Sequence, residues 1–116
     1  MEFTELKGCI QTNICNMKML MICLGNICRS PVAEGVMKAK AEEFKLDISV
    51  DSAGTSVWHN GEKADSRSRK NAIENGVNIS DQRSRGVVLS DFEEFDIVYA
   101  MDESNYNNLI NMSPEK

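Results

Sequence analysis

At 116 residues, the chain has room for one domain of modest size. Its formal net charge of −5 gives no overall attraction to nucleic acid or to an anionic membrane, so we predict neither partner. No stretch approaches the length of a transmembrane helix, and the N-terminus lacks the basic and then apolar pattern of a signal peptide. We therefore expect a cytoplasmic protein.

The cysteines argue against a disulfide framework and against a metal site. Cys9, Cys15, Cys23 and Cys28 all lie in the first quarter of the chain, so none can pair across the fold. Cys9 and Cys15 lack the second cysteine pair and the histidine spacing of a zinc site. We predict no metal and no cofactor.

Residues 1–16 show no clear hydrophobic period. We predict an extension there that is disordered or not native to the protein, and we assign it no function. The domain is expected at residues 17–116.

A strand that leads directly into a helix is predicted next. Residues 19–22 form an apolar run of strand length, which needs no polar alternation in a parallel sheet covered on both faces. Ser30 is a favourable N-cap residue, Pro31 a favourable first helical residue, and Glu34 would complement the helix dipole in the first turn. We expect the helix to begin at Ser30.

The loop between this strand and helix has the composition of an anion site. Gly25 and Asn26 are the residues best able to adopt a positive φ, so successive backbone N–H groups can converge on one point. Such a concavity at a helix N-terminus binds an anion, here a phosphate. The predicted phosphate-binding residues are Leu24, Gly25, Asn26, Ile27, Cys28 and Arg29.

Three side chains of this segment suggest phosphoryl transfer. The loop N–H groups, the helix dipole and Arg29 all favour the thiolate of Cys23, which would make it a nucleophile near neutral pH. The planar fork of Arg29 can hold two phosphate oxygens during the reaction. The Ser30 hydroxyl can donate to the sulfur. Together they predict a cysteinyl-phosphate intermediate.

The stretch Cys-Leu-Gly-Asn-Ile-Cys-Arg-Ser-Pro-Val-Ala-Glu-Gly, from residue 23, resembles the signature of low-molecular-weight protein tyrosine phosphatases. The resemblance covers about residues 18–109. It implies hydrolysis of protein tyrosine phosphate and small aryl phosphates, with a phosphotyrosine protein as partner and Asn26 and Ser30 in support. The other similar segments are Asp51-Ser-Ala-Gly-Thr55, Trp58-His59, Ala64-Asp-Ser-Arg67, Ser90-Asp-Phe92 and the run that begins Phe95-Asp-Ile-Val-Tyr-Ala-Met-Asp-Glu-Ser-Asn105.

The remaining pattern alternates helices and strands. It predicts a three-layer α/β/α fold with a central parallel sheet and the phosphate loop after the first strand. The first helix should bury a stripe that includes Val32, Ala33, Val36, Met37 and Phe44. The predicted elements are helices at 31–44, 65–75 and 102–111, strands at 48–53 and 96–101, and a short helical turn at 90–95.

The loop at residues 54–64 carries the single Trp and the single His. The resemblance implies that Trp58 forms the wall that receives a phenyl ring, and the loop offers little apolar company that would bury it. His59 has no carboxylate or second ligand at a useful spacing, so we predict no catalytic role for it.

Two further assignments concern side chains near the ends of strands. In the family, the bend at residues 52–55 helps to fix Asn26. For Ser52 and Thr55, such bracing and a purely local turn role both stay open. Asp102 is expected to be the N-cap of the last helix and not an acid catalyst.

The sequence departs from the family at its C-terminal end. The family's fourth strand, its Asp-Pro-Tyr-Tyr-like loop with the general acid, and its closing helix have no counterpart after Leu109. We expect a truncated member with weak activity, because losing a general acid costs about 10²- to 10⁴-fold. An open sheet edge would also favour instability or association, and the oligomeric state is left open.

Three other functions compete with this one. Thioredoxin-coupled arsenate reductases share the implied fold and loop but need two further cysteines, and none follows Cys28. Arginine-phosphate phosphatases of the same superfamily carry a Thr in place of Ile27, whose apolar side chain suits an aryl ring. A non-catalytic phosphate-binding module would not need Cys23 and Arg29 intact.

Cys28 suggests a separate hypothesis. It could trap oxidised Cys23 as a reversible disulfide, or it could simply fill space behind the loop. Peroxide treatment followed by mass mapping distinguishes these two roles, because direct oxidation of Cys23 to sulfinic acid would reject the disulfide.

Overall fold

A computed structural model describes residues 17–112. The extension predicted at residues 1–16, with Cys9 and Cys15, lies outside the described residues. No helix within 17–112 is long and apolar enough to cross a membrane. The elements in chain order are β1 (Met17–Cys23), α1 (Arg29–Glu43), β2 (Ile48–Gly54), α2 (Ser66–Glu74), α3 (Asp91–Glu94), β3 (Ile97–Ala100) and α4 (Glu103–Met112).

The three strands form a parallel sheet in the order β2-β1-β3. β1 lies in the middle, and almost its whole length is buried. A central strand covered on both faces needs apolar side chains on each, which explains the unbroken apolar run in its sequence. The predicted central parallel sheet is confirmed.

Helices cover both faces of this sheet. On one face, Met19, Met21 and Val50 pack against Ala33 and Met37 of α1. The opposite face holds a second apolar cluster in which α3 and α4 cover the sheet. The core residues of that second cluster are Leu20, Ile22, Ala53, Val87 and Leu109. The three-layer arrangement predicted from the sequence is therefore present.

The buried face of α1 differs from the predicted stripe. Val36 and Phe44 are exposed, whereas Glu34, Gly35 and Ala41 are buried. Glu34 also lies beyond the first helical turn, which holds no acidic residue. The stripe predicted from the hydrophobic period was wrong at these positions, because α1 contacts its neighbours through small residues and buries one carboxylate.

Gly35 marks the tightest of these contacts. A Cβ built on Gly35 would lie 2.6 Å from Ile79 Cγ2 and 2.8 Å from Val77 Cγ1. We expect Gly35→Ala to lower the free energy of unfolding by about 1–2 kcal/mol, because overpacking outweighs the gain in helix propensity. Urea denaturation measures the change. The control is Glu42→Ala on the exposed side of α1, which should stay within about 0.5 kcal/mol; an equal loss in both variants would contradict the packing argument.

The two shorter helices differ in how their N-terminal ends are capped. The Asp65 carboxylate accepts the backbone N–H of Arg67 at 2.9 Å and caps α2, which ends before Gly76 at φ +82°. Ser90, the first residue of the predicted helical turn at residues 90–95, makes no side-chain cap bond to α3. Asp91 accepts the Val88 N–H instead, at 2.8 Å.

Candidate active site

The loop at residues 23–29 lies at the carboxyl end of β1 and turns into α1. Asn26 has φ +57°, as its sequence position predicted. Gly25 was expected to share this conformation, but it is not among the described glycines with a positive φ. Its lack of a side chain serves another purpose, because a Cβ would lie 3.1 Å from the ring carbon Cδ2 of His59.

The sulfur of Cys23 lies among hydrogen-bonding groups. Cys23 is almost fully buried, with Ser30 Oγ at 3.0 Å from Sγ and the Asn26 N–H donating to Sγ over 3.3 Å. No hydrogen bond within residues 17–112 uses the backbone N–H of Gly25, Ile27 or Cys28. These N–H groups are therefore available to an anion.

The start of α1 corrects one prediction. The helix begins at Arg29, and Ser30 is its second residue and not its N-cap. The Ser30 hydroxyl contacts Cys23 Sγ, so its side chain serves the loop and does not cap the helix. The predicted proximity of Ser30 to the sulfur is confirmed.

A pocket of about 590 Å³ opens over this loop. Cys23 and Arg29 line it, and Leu24 and Trp58 are exposed at its rim. The Trp58 side chain is 88% exposed, so it is available as a wall and is not part of the core. The other lining residues are Gly25, Ile27, Cys28, Ser56 and His59.

Arg29 has an ionic partner that the sequence did not predict. Its Nη2 donates to Asp102 Oδ2 over 3.0 Å. The other carboxylate oxygen of Asp102 accepts the Asn105 N–H at 2.8 Å, so Asp102 also caps α4 as predicted. The Asn105 N–H, followed by the Arg29 guanidinium, lowers the pKa of Asp102. An ionised Asp102 can orient Arg29, but it is a poor proton donor at neutral pH.

The lowered pKa of Asp102 predicts a pH-dependent stability. A carboxylate whose pKa is lower in the folded state stabilises the fold above its unfolded value, about 3.9, and this contribution is lost as pH falls through the folded value. We expect Asp102→Asn, which keeps a capping oxygen, to unfold more easily than the parent at pH 6. The difference should shrink as pH falls below the unfolded value of about 3.9, and it should vanish once Asp102 is protonated in the folded state as well. Urea midpoints across this range test it; a difference independent of pH would contradict the ionic role.

The back of the loop is held by a hydrogen-bond network around Asn26. Asn26 Nδ2 donates to Ser30 Oγ at 2.8 Å and to Ser52 Oγ at 2.9 Å, while its Oδ1 accepts the Arg85 N–H at 3.0 Å. Ser52 thus contacts the loop residue that it was suggested to brace. Thr55 Oγ1 is buried and has no hydrogen-bond partner among residues 17–112.

Arg85 holds its own segment against this network. Its guanidinium donates to Asp51 Oδ2 at 3.1 Å and to Asp91 Oδ2 at 2.9 Å. Burial lowers the pKa of Arg85, but the two carboxylates raise it by a larger amount, so the net shift of the pKa is upward. The ion pairs fix the backbone N–H that orients the Asn26 amide. No sequence pattern predicted a role for Arg85.

Comparison with known proteins agrees with this geometry. Residues 18–116 match the family described as low molecular weight phosphotyrosine protein phosphatase. The chain belongs to this family. The Schizosaccharomyces pombe protein of that description is 39% identical over 103 residues, which cover 86% of this chain and 65% of the relative. The chain thus spans less than two thirds of the length of this relative.

Solved structures show the same fold. A protein tyrosine phosphatase from Entamoeba histolytica is 50% identical with a TM-score of 0.82, over 85% of this chain and 64% of that one. An arginine phosphatase from Drosophila is 36% identical with a TM-score of 0.80, over 83% of this chain and 61% of that one. Because proteins of both descriptions share the fold, the fold alone does not select the substrate class.

His59 has surroundings that the sequence did not predict. It lines the pocket, and its Nδ1 lies 2.6 Å from Glu62 Oε2. The prediction that His59 has no carboxylate at a useful spacing was therefore wrong, because Glu62 follows it by three residues and contacts it. This contact holds the imidazole against Gly25 at the edge of the loop at residues 23–29.

The described residues hold two cysteines, and both lie in this site. Cys23 and Cys28 are both free thiols, the first buried and the second exposed. Within residues 17–112, no three His, Cys, Asp or Glu side chains are grouped to hold a metal ion. The bond between oxidised Cys23 and Cys28 stays a prediction.

Proposed function

We propose that this chain cleaves tyrosine phosphate in proteins, and small aryl phosphates, through a cysteinyl-phosphate intermediate. The surroundings of Cys23 carry the proposal. Its sulfur lines a pocket, beside the Ser30 hydroxyl and the Asn26 N–H, at the N-terminus of α1. Donors that converge on one point stabilise a thiolate, and they also stabilise the charge of a transferring phosphoryl group.

The chemistry follows in two displacements. The Cys23 thiolate attacks phosphorus, the bond between phosphorus and the aryl oxygen breaks, and the phenolate leaves and takes a proton from water. Water then attacks the phosphocysteine, so that inorganic phosphate departs and the thiolate returns. Arg29 and the N–H groups of Gly25, Ile27 and Cys28 hold the phosphate oxygens through both steps. Ser30 stabilises the sulfur each time it carries charge.

The rim of the pocket supports an aromatic substrate. Trp58 and Leu24 present apolar surface to solvent, and Ile27 lines the interior. A flat phenyl ring that enters between these side chains would bury apolar area and direct its phosphate towards Cys23. The predicted cytoplasmic location stays a prediction.

Trapping the intermediate tests the proposal. The chain is mixed with p-nitrophenyl phosphate, whose acidic phenol leaves without a proton donor, and is quenched in acid within one turnover. We expect one phosphoryl group per chain, mapped by mass spectrometry to Cys23. Cys28→Ser should still be labelled at Cys23. Absence of phosphocysteine alongside release of phenol would contradict the covalent mechanism.

The arginine phosphatase match makes a second substrate worth testing. The Drosophila protein shares the fold at 36% identity, so its substrate class is the nearest alternative. Ile27 in the pocket favours a phenyl ring over a charged guanidinium. We expect a phosphotyrosine peptide to be cleaved with a higher kcat/KM than a phosphoarginine peptide of the same flanking sequence. The reverse order would assign the chain to the second class.

A further inference from the structure

A continuous line of hydrogen bonds links the outer surface of α1 to Cys23. Lys38 Nζ donates to Glu34 Oε2 at 2.5 Å, and Ser52 Oγ lies 2.6 Å from Glu34 Oε1. The Asn26 amide connects Ser52 to Ser30, whose hydroxyl contacts the sulfur. The Glu34 side chain is only 4% exposed, whereas that of Lys38 is 54% exposed. An ion pair at the protein surface is thus joined to the proposed nucleophile.

The charge of Glu34 determines which way these hydrogen bonds point. An ionised carboxylate only accepts, so the Ser52 hydroxyl must donate its hydrogen to Glu34. Ser52 Oγ is then free to accept from Asn26 Nδ2. The amide cannot turn over, because Asn26 Oδ1 already accepts the Arg85 N–H.

The same direction continues to the sulfur. Asn26 Nδ2 donates to Ser30 Oγ, which leaves the Ser30 hydrogen to be donated to Cys23 Sγ. A neutral residue 34 could donate to Ser52 instead. The Ser52 hydrogen would then compete with Asn26 Nδ2, so the Arg85 N–H would hold the amide without help from Ser52. The amide would donate less firmly to Ser30 Oγ, and the Ser30 hydroxyl could turn away from the sulfur.

We propose that Glu34 and Lys38 are positioning residues that aim the Ser30 hydroxyl at Cys23. This inference rests on the proposed function, since it concerns the same nucleophile. Lys38 pairs with the buried Glu34 carboxylate, and Glu34 takes the Ser52 hydrogen, so that Ser52 Oγ can accept from the Asn26 amide, which also donates to Ser30. Neither side chain lines the substrate pocket. Their influence is therefore on thiolate stability, at Cys23 attack and at thiolate departure, and not on substrate binding.

Steady-state kinetics with p-nitrophenyl phosphate tests this role. We expect Glu34→Gln, normalised to folded chain by circular dichroism, to lower kcat about tenfold, the effect of one strong hydrogen bond at the reacting sulfur. The inhibition constant of inorganic phosphate should change less than about twofold, because the groups that bind phosphate remain. A purely structural role would lower the folded fraction and leave kcat of the folded chain unchanged, which would overturn the proposal.

Lys38 gives a second test that does not disturb the core. Lys38→Met removes the cation from buried Glu34, so kcat should fall in the same direction, whereas Lys38→Arg should restore it. Lys40→Met is the matched control, because Lys40 pairs with Glu43 at 3.2 Å on the same helix and both side chains are exposed. Equal kcat values in Lys38→Met and Lys40→Met would refute the positioning role.

These outcomes remain distinct from failure of the proposed function. If no phosphocysteine forms in the unaltered chain, the phosphatase mechanism itself is wrong. If phosphocysteine forms and decays at the same rate in the unaltered chain and in Lys38→Met, only the positioning role is wrong.

Discussion

Replacing Cys23 with serine is expected to lower kcat for an aryl phosphate by about 10⁴-fold or more. The serine hydroxyl remains protonated in the cradle that favours a thiolate, so no nucleophile is available for the first displacement. Phosphate should still bind, because Arg29 and the loop N–H groups are untouched. Stopped-flow release of p-nitrophenol measures the rate, and protection against thermal unfolding by inorganic phosphate measures binding.

The other described cysteine provides the control for this substitution. Cys28 lines the same pocket but is exposed, and no hydrogen bond joins its sulfur to the rest of residues 17–112. Cys28→Ser should keep kcat within about twofold under reducing conditions, since no step needs its sulfur. Residual turnover in Cys23→Ser close to that of Cys28→Ser would refute the assignment of the nucleophile.

Arg29→Lys is expected to lower kcat/KM by about 10²- to 10³-fold. The guanidinium has five N–H groups, so it can donate to two phosphate oxygens and still donate to Asp102. Arg29 Nη2 makes that last contact at 3.0 Å. A lysine carries one point charge and cannot do both. Initial rates at substrate concentrations below KM give kcat/KM directly, and weaker inhibition by inorganic phosphate should accompany the loss.

Arg67→Lys is the control that distinguishes the effect of the guanidinium shape at Arg29 from the effect of its positive charge. Arg67 is almost fully exposed, its ion pair is with Asp65, and it lies near Cys28. Arg67→Lys should change kcat/KM by less than about threefold, because an exposed pair contributes little. Comparable losses at Arg29 and Arg67 would show that positive charge near the pocket matters and that the fork does not.

The parts of the candidate site that could be predicted from the sequence lie close together in the chain. Cys23, Arg29 and Ser30 lie within one strand-loop-helix segment, and their spacing alone brings them together. The parallel sheet was equally predictable, because the apolar run of β1 requires cover on both faces. The stripe of α1 was not, because its buried face holds Glu34 and Gly35, which an amphipathic pattern assigns elsewhere.

The partners of these residues depended on tertiary structure. Asp102 reaches Arg29 only because β3 pairs beside β1, so that the carboxyl ends of the two strands meet at one edge. Asn26 and Arg85 are 59 residues apart, and the pairing of Glu34 with Ser52 crosses from a helix to a strand. The sequence by itself determined the sheet and brought the proposed nucleophile and the proposed phosphate loop into one segment, because these follow from local spacing and burial. Only the packed fold decided what orients them, since hydrogen bonds over such separations depend on the relative placement of whole elements.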